Sequence, residues 1–346
     1  MLKNSFSTVN GIQLSYFDSG IPEGSAQYVT IFAIHGICFA RPVFKGIMAL
    51  APTANIRLVA INRRGYLGST PYTFDELEAF QRDDTAKEAF VRSRGLEMAL
   101  FVDQFIQEHQ LPPISVDGKA GWVAVLGWSM GSSFALCAVA HSDALPPESS
   151  ARLQSHLRTL ILLDPPAVPL GMSHKIAPWS PQLDTTISKK EGVAFSTFLL
   201  TAYFKHGDLS SRKEEELSRF VPSKYRPASI YDMSDADLES MLQAELADIS
   251  SPDMQYFLTC GPQLPASYRK ACYDPQVRSS FPRLKVWEIC GEATLSHCWV
   301  AYWAIEDDNT THGGDMVHFK VIDRANHFMH WDDPENTVQV LIGVIA

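Results

Sequence analysis

The sequence contains no apolar run approaching the roughly 20 residues that a membrane-crossing helix needs, so no membrane span is expected. It has no cluster of basic residues: 29 Lys and Arg stand against 39 Asp and Glu, a formal charge of −10. A nucleic-acid partner is therefore not expected. Cysteine is sparse, with six residues at 38, 137, 260, 272, 290 and 298. None forms a C-x-x-C pair, and their wide spacing in mostly apolar surroundings suits reduced thiols in an intracellular protein better than a disulfide framework. The opening residues Met1-Leu2-Lys3-Asn4-Ser5-Phe6-Ser7-Thr8 lack the long apolar core of a secretory signal. A cytoplasmic location is the resulting expectation. Repeats and low-complexity tracts are also missing. His297, His312, His318 and His330 show no recurrent metal-ligand spacing, so no metal or cofactor is expected.

What is present is the composition of a globular protein with a full-sized core: 346 residues, 46% hydrophobic and 20% charged. The most informative stretch is Gly127-Trp128-Ser129-Met130-Gly131, which reads Gly-x-Ser-x-Gly. It follows the apolar run Trp122–Leu126 and precedes the small, apolar run Ser132–Ala140. That pattern is strand, tight turn, helix, with the serine hydroxyl thrust outward at the turn. Glycine suits a turn where backbones crowd. The helix start also leaves backbone N–H groups free to receive negative charge.

Along the chain, Val9-Asn10-Gly11-Ile12 is an Asn-Gly hairpin signal between two edge strands. Tyr28–Ile34, Asn55–Ile61, Arg158–Leu163, Leu284–Cys290 and Met316–Ile322 read as further strands. Ala79–Gln110 is predicted mainly helical with Gly95 as a possible break, and Asn336–Val344 as a closing helix. Ser142–Gln154 reads as a polar, proline-bearing excursion. Between Pro165 and Phe281 no buried strand is predicted, and helical stretches such as Val193–Phe204 and Asp235–Ala247 alternate with Pro and Ser. Strand–helix alternation predicts an α/β fold: a mostly parallel sheet covered on both faces. The helical segment 165–281 would then be a cap above the strand ends, inserted in a core made of 1–164 and 282–346.

Taken together, His35-Gly36, Arg64-Gly65-Tyr66 with Gly68-Ser69, the Ser129 turn and Asn326-His327-Phe328 resemble, in order and spacing, the α/β-hydrolase superfamily of capped esterases, lipases and peptidases. The resemblance implies an eight-stranded, mostly parallel sheet. It implies Ser129 as nucleophile, His327 as general base, and the N–H groups of Met130 and Ile37 as the oxyanion hole. His35 would order the oxyanion loop by hydrogen bonding, and Arg63-Arg64 would serve loop structure. The chemistry accounts for these residue types. A serine hydroxyl needs a base near neutral pH, imidazole supplies one, and a carboxylate fixes the imidazole tautomer. Each oxyanion donor contributes about 3–4 kcal/mol in related cases. Serine rather than aspartate at the turn points to acyl chemistry.

The acid departs from the family pattern. Where the family most often has Gly-x-x-Asp, this chain reads Gly291-Glu292-Ala293-Thr294. Asp164, at the end of the strand after the serine's helix, and Glu292 are the two replacements. In the cap, Phe195, Phe198, Leu199, Tyr203 and Phe204 form an apolar stripe, Met254 and Tyr256–Leu258 form another, and Trp179 and Trp299 add aromatic surface. Trp128, Phe198, Tyr203 and Phe328 are the candidate substrate-binding side chains, with packing inside the cap as the competing role. The expected partner is a hydrophobic small molecule: an ester, lactone or thioester. A proline-type aminopeptidase, a C–C bond hydrolase or a perhydrolase uses similar machinery. An aminopeptidase would need cap carboxylates to hold an amine, and Glu214–Glu216, Asp235, Asp237 and Glu239 read as solvated. A low-turnover ligand-binding protein on the same fold is the reading from another class, motivated by the displaced acid.

Overall fold

The β-branched and aromatic runs become the strands of one eight-stranded sheet. The computed structural model describes residues 5–9, 11–25, 27–118, 121–173 and 180–346. β1 (Ser5–Val9) and β2 (Ile12–Asp18) form the antiparallel edge hairpin; Asn10 of its turn signal lies outside the described residues. β3 (Val29–Ile34), β4 (Ile56–Ile61), β5 (Trp122–Trp128), β6 (Leu157–Leu163), β7 (Lys285–Gly291) and β8 (Val317–Ile322) run parallel. The order across the sheet is β1-β2-β4-β3-β5-β6-β7-β8, with β2 antiparallel to β4.

Successive strand side chains point to opposite faces, and here both faces are covered. In β3, Phe32 and Ile34 enter one apolar layer, while Ile31 and Ala33 enter the other. This two-sided burial is why β3, β4 and β5 read as continuous hydrophobic runs. The helices that follow in the first half are α1 (Lys45–Leu50), α2 (Phe74–Glu78), α3 (Asp84–His109), α4 (Gly131–Ala140) and α5 (Pro147–His156).

Two sequence expectations change here. Gly95 does not break α3, which runs unbroken from its Asp83 cap to His109. It lets α3 press on α4: a Cβ at Gly95 would lie 2.4 Å from Cys137 O. The stretch 142–154 is not an irregular excursion but contains most of α5. Pro147 sits in the first helical turn, where its missing N–H is no loss, and Leu153 and His156 turn inward.

Between β6 and β7 lie α6 (Lys189–Thr201), α7 (Asp235–Met241), α8 (Pro252–Thr259), α9 (Gln263–Tyr273) and α10 (Pro275–Ser280), with no sheet strand among the described residues. Ser188 with Glu191 and Ser234 with Asp237 close capping boxes on α6 and α7. The helix expected over 235–247 stops at Met241. Its next residues pair with another segment: Ala40 N donates to Met241 O and Gln243 N to Cys38 O, both at 2.7 Å. α9 lies on α4, with His141 Nε2 and Ser267 Oγ 3.3 Å apart. α11 (Ser296–Thr311) packs on β7 and β8, and α12 (Met329–Asp332) leads into α13 (Pro334–Ile345), which lies beside α1. Among the described residues no helix is long and apolar enough to cross a membrane.

Candidate active site

β5 ends at Trp128, and the chain turns into α4 two residues later. Ser129 sits at the turn with φ 56°, in the left-handed region. A non-glycine residue there costs on the order of 1–3 kcal/mol and persists only where its surroundings hold it. They do: Ser129 N donates to Leu163 O at 2.9 Å, and Ser132 N donates back to Ser129 O at 3.0 Å. The flanking glycines are required by close approach. A Cβ at Gly131 would lie 2.1 Å from Ile34 O, and one at Gly127 would lie 2.4 Å from Ser132 N. The loop after β3 comes close to the serine, since a Cβ at Gly36 would lie 2.9 Å from Ser129 Cβ and 3.3 Å from its Oγ.

Trp128 and Leu163 are register partners on β5 and β6, so Ser129 and Asp164 are the next residues on adjacent strands. Asp164 is also left-handed, at φ 52°. Its Oδ2 lies 2.5 Å from His327 Nδ1. Gly291 N donates to Oδ1 at 2.9 Å, and the Thr294 hydroxyl donates to Oδ2. A carboxylate on Nδ1 sets the tautomer that leaves a lone pair on Nε2. His327 Nε2 is buried and, among the described residues, has no hydrogen-bond partner. The backbone of His327 is held as well, since Trp128 Nε1 donates to its carbonyl at 2.9 Å.

Of the two carboxylates proposed from sequence, the structure brings Asp164 to His327. Glu292 instead ties the loop after β7 to the loop after β8, its Oε2 accepting Arg324 N at 2.7 Å. Thr294, where the sequence pattern leads one to expect the acid, donates its hydroxyl to Asp164. Cys298 Sγ lies 3.4 Å from Asp164 O and 3.7 Å from His327 Nδ1. Asp164, Cys298 and His327 thus offer three potential metal-ligand atoms within 4.8 Å of one another. A cation there would have to displace the proton between Asp164 and His327.

The loop after β3 is gripped from beneath. His35 Nδ1 meets Gly36 O at 2.8 Å and His35 Nε2 accepts Arg63 N at 3.1 Å. Burial, then the Arg63 charge, pushes His35 well below its ordinary range, so the ring is neutral and orders the loop. Arg63 is not merely a loop residue. Its guanidinium is fully buried and pairs with Asp253 of α8. Burial disfavours its charge, but the Asp253 carboxylate outweighs that and raises the Arg63 pKa. Arg64 does serve loop structure, bonding Pro71 O, Glu76 and Glu97. The Cys38 N–H is taken by the Tyr66 hydroxyl at 2.9 Å.

The residues proposed to bind substrate are largely spent on packing. Phe328 is 0% and Trp128 1% exposed. The two rings meet edge to face at 5.0 Å. The Tyr203 hydroxyl is bonded to Asp332. Phe198 is half-buried on α6, near Phe195 and Tyr231. Tyr256 is buried, its hydroxyl 2.9 Å from Ser133 Oγ, and Trp299 Nε1 donates to Glu292 O at 3.2 Å. Trp179 lies outside the described residues. Of the other expected histidines, His330 is buried against Phe44, Trp128 and Phe328. All six cysteines are buried free thiols. The sequence reading missed Asp253, an acid in an apolar helix whose only signal was its burial-prone neighbours Met254 and Tyr256. An apolar-walled cavity of about 760 Å³ opens between α6 and the stretch after α7, with Val193, Ala194, Ile230 and Leu242 in its wall.

A sheet in this strand order, with a strained serine between β5 and α4 and a buried histidine–carboxylate pair at the strand ends, defines the α/β-hydrolase class. The model of the alpha/beta hydrolase family matches residues 31–340. The chain belongs to that family, and hydrolase is the coarse assignment that follows. No curated protein matches the sequence. Solved structures do share the fold. An epoxide hydrolase from an endophytic Streptomyces has a TM-score of 0.56 at 12% identity, over 99% of this chain and 95% of that one. A bromoperoxidase from Bacillus anthracis has 0.54 at 14%, over 99% of each chain. An esterase from Exiguobacterium antarcticum has 0.53 at 14%, again over 99% of each. At such identities the likeness concerns the fold alone.

Proposed function

We propose that this chain is a serine hydrolase that cleaves an ester, lactone or thioester of a hydrophobic small molecule through an acyl-enzyme. The observation that carries the reading is the 2.5 Å contact between Asp164 and His327 Nδ1, which leaves Nε2 with no hydrogen-bond partner among the described residues, on a ring 5.1 Å from that of Trp128, the residue before the strained Ser129. In this reading Nε2 takes the Ser129 hydroxyl proton as the oxygen attacks the acyl carbonyl. The N–H groups of Met130, at the start of α4, and of Ile37 receive the oxyanion. His327 returns the proton to the leaving group, and the Asp164 carboxylate stabilises the imidazolium formed on the way. Water then repeats the sequence on the acyl-serine, with His327 again as base.

The lid in this reading runs from 165 to about 262, because α9 and α10, counted with it from sequence, continue the layer of α4. Two alternatives lose support. A ligand-binding protein without turnover was motivated by the displaced acid, and the Asp164–His327 pair removes that motive. An aminopeptidase would need a free lid carboxylate, and the two buried ones described are paired: Asp253 has both oxygens on Arg63, and Glu214, expected from sequence to be solvated, is buried with its Oε2 accepting Arg219 Nη2 at 3.2 Å.

A fluorophosphonate probe tests the reading. The protein should gain one adduct on Ser129 and the Ser129→Ala variant none, with hydrolysis of p-nitrophenyl esters lost in parallel. No adduct together with no hydrolysis across an ester, lactone and thioester panel would sink it.

A further inference from the structure

Asp253 lies in the lid helix α8, far along the chain from the oxyanion loop, yet the two are joined through buried groups. Asp253 is 3% exposed. Its Oδ1 accepts Arg63 Nη1 at 2.8 Å, and its Oδ2 accepts Arg63 Nη2 at 2.6 Å and the Tyr66 hydroxyl at 2.6 Å. A bidentate carboxylate fixes the plane of a guanidinium as well as its position. The donors that remain on Arg63 reach the loop: Nη2 donates to Gly36 O at 2.9 Å and Nε to His35 O at 3.2 Å. Tyr66, aimed at Asp253, accepts the Cys38 N–H at 2.9 Å. The carbonyls of residues 35 and 36 and the N–H of residue 38 are therefore held by two side chains that share one anchor.

Between those held groups sits the Ile37 N–H. It belongs to the same planar peptide as Gly36 O, and in a trans peptide the C=O and N–H point in opposite directions. Holding Gly36 O toward Arg63 fixes the opposite direction for the Ile37 N–H. A cation on the carbonyl also polarises the amide and strengthens its donor end. Gly36 is already packed on the Ser129 side chain. The lid backbone clasps the same loop through Met241 O and Gln243 N, and Gln243 Oε1 accepts Leu67 N at 3.0 Å.

We propose that Asp253 is a positioning residue for acyl transfer: through Arg63 and Tyr66 it sets the direction of the Ile37 N–H, so that the oxyanion hole is complete only when α8 is docked. The inference rests on the acyl-enzyme reading above and adds to it a coupling between lid docking and transition-state stabilisation. A residue acting this way changes kcat and the affinity for a tetrahedral mimic, and leaves ground-state binding nearly alone.

The test compares Asp253→Asn and Tyr66→Phe with the parent protein, using p-nitrophenyl butyrate, a trifluoromethyl ketone inhibitor and a fluorophosphonate probe, below the melting temperature of each variant. Loss of one oxyanion donor costs about 10²–10³ in kcat in related enzymes, so misdirection of one should cost at least about tenfold. The expected result is that fall in kcat, a KM within about threefold of the parent, and a ketone inhibition constant weakened in step with kcat. Tyr66→Phe removes one hydroxyl and leaves the ion pair, so it carries the test if Asp253→Asn does not fold. Unchanged kcat and ketone affinity in the folded variants would overturn the inference, as would losses that merely follow the folded fraction. A parent protein inert to the fluorophosphonate would overturn the acyl-enzyme reading, and this inference with it.

Discussion

Asp164 illustrates how much one side chain's surroundings decide. It receives Gly291 N and the Thr294 hydroxyl, faces His327 Nδ1, and sits at φ 52°. Asp164→Asn keeps the shape but offers an amide where His327 needs an acceptor, which favours the wrong tautomer. In steady-state assays kcat should fall by about 10³–10⁴, with Glu292→Gln within about twofold of the parent. The reverse ranking would reassign the acid. His330 is the second residue whose surroundings matter. It is buried among aromatic rings with neither ring nitrogen partnered among the described residues. Burial, then the nearby His327, lowers it from 6.5 to about 3. The fold therefore holds His330 neutral while the unfolded chain protonates near its ordinary value. Its contribution is intact above about pH 6.5 and is lost as pH falls toward about 3, at roughly 1.4 kcal/mol per pH unit. Urea unfolding between pH 7 and 4 should show this slope, and His330→Leu should flatten it whatever its effect at pH 7. An equal slope in the variant would assign the acid sensitivity to other groups.

At the level of elements, the strands followed from their hydrophobic runs because both faces of a parallel sheet are buried, and burial leaves its mark on every residue. Helix boundaries depended more on neighbours. α7 ends where its chain is drawn into pairing with residues 38–40. Gly95 carried a helix-breaking signal, yet its meaning was contact: α4 lies too close for any side chain. Gly95→Ala would improve helix propensity by about 1 kcal/mol while forcing a Cβ onto the Cys137 carbonyl. Because that neighbour is backbone, the second effect should win, with a net destabilisation of about 1–3 kcal/mol. Urea or thermal unfolding checks this. A stabilised variant would mean that α3 can move away freely.

For the whole molecule, the sheet and its two apolar layers set the strand ends side by side. Ser129 is 3% and His327 1% exposed. The cavity beside α6 is lined by Val193, Ala194, Ile230 and Leu242 together with Lys189, Lys190, Glu245 and Asp248, and none of Ser129, Asp164 and His327 lines it. In the proposed function, an acyl chain that is buried on binding gains about 0.8 kcal/mol per methylene. Across p-nitrophenyl acetate, butyrate and hexanoate, kcat/KM should therefore rise by about fourfold per added methylene. A flat or falling series would argue against an apolar acyl site.

By itself, the sequence determined the sheet, the serine turn, the histidine after the last strand and the absence of sheet strands among the described residues between β6 and β7. Each of these is written in local pattern: runs of apolar residues, glycines at a turn, and motif order. Only the tertiary structure decided between Asp164 and Glu292, because the choice depends on which carboxylate a neighbouring strand end points at His327. It also gave Thr294 its partner, turned Trp128 and Phe328 inward, and brought Asp253 to Arg63. Those are contacts between residues far apart in the chain. No local spacing encodes them, since they exist only once the sheet has ordered its strands and the segment between β6 and β7 has packed against the rest of the chain.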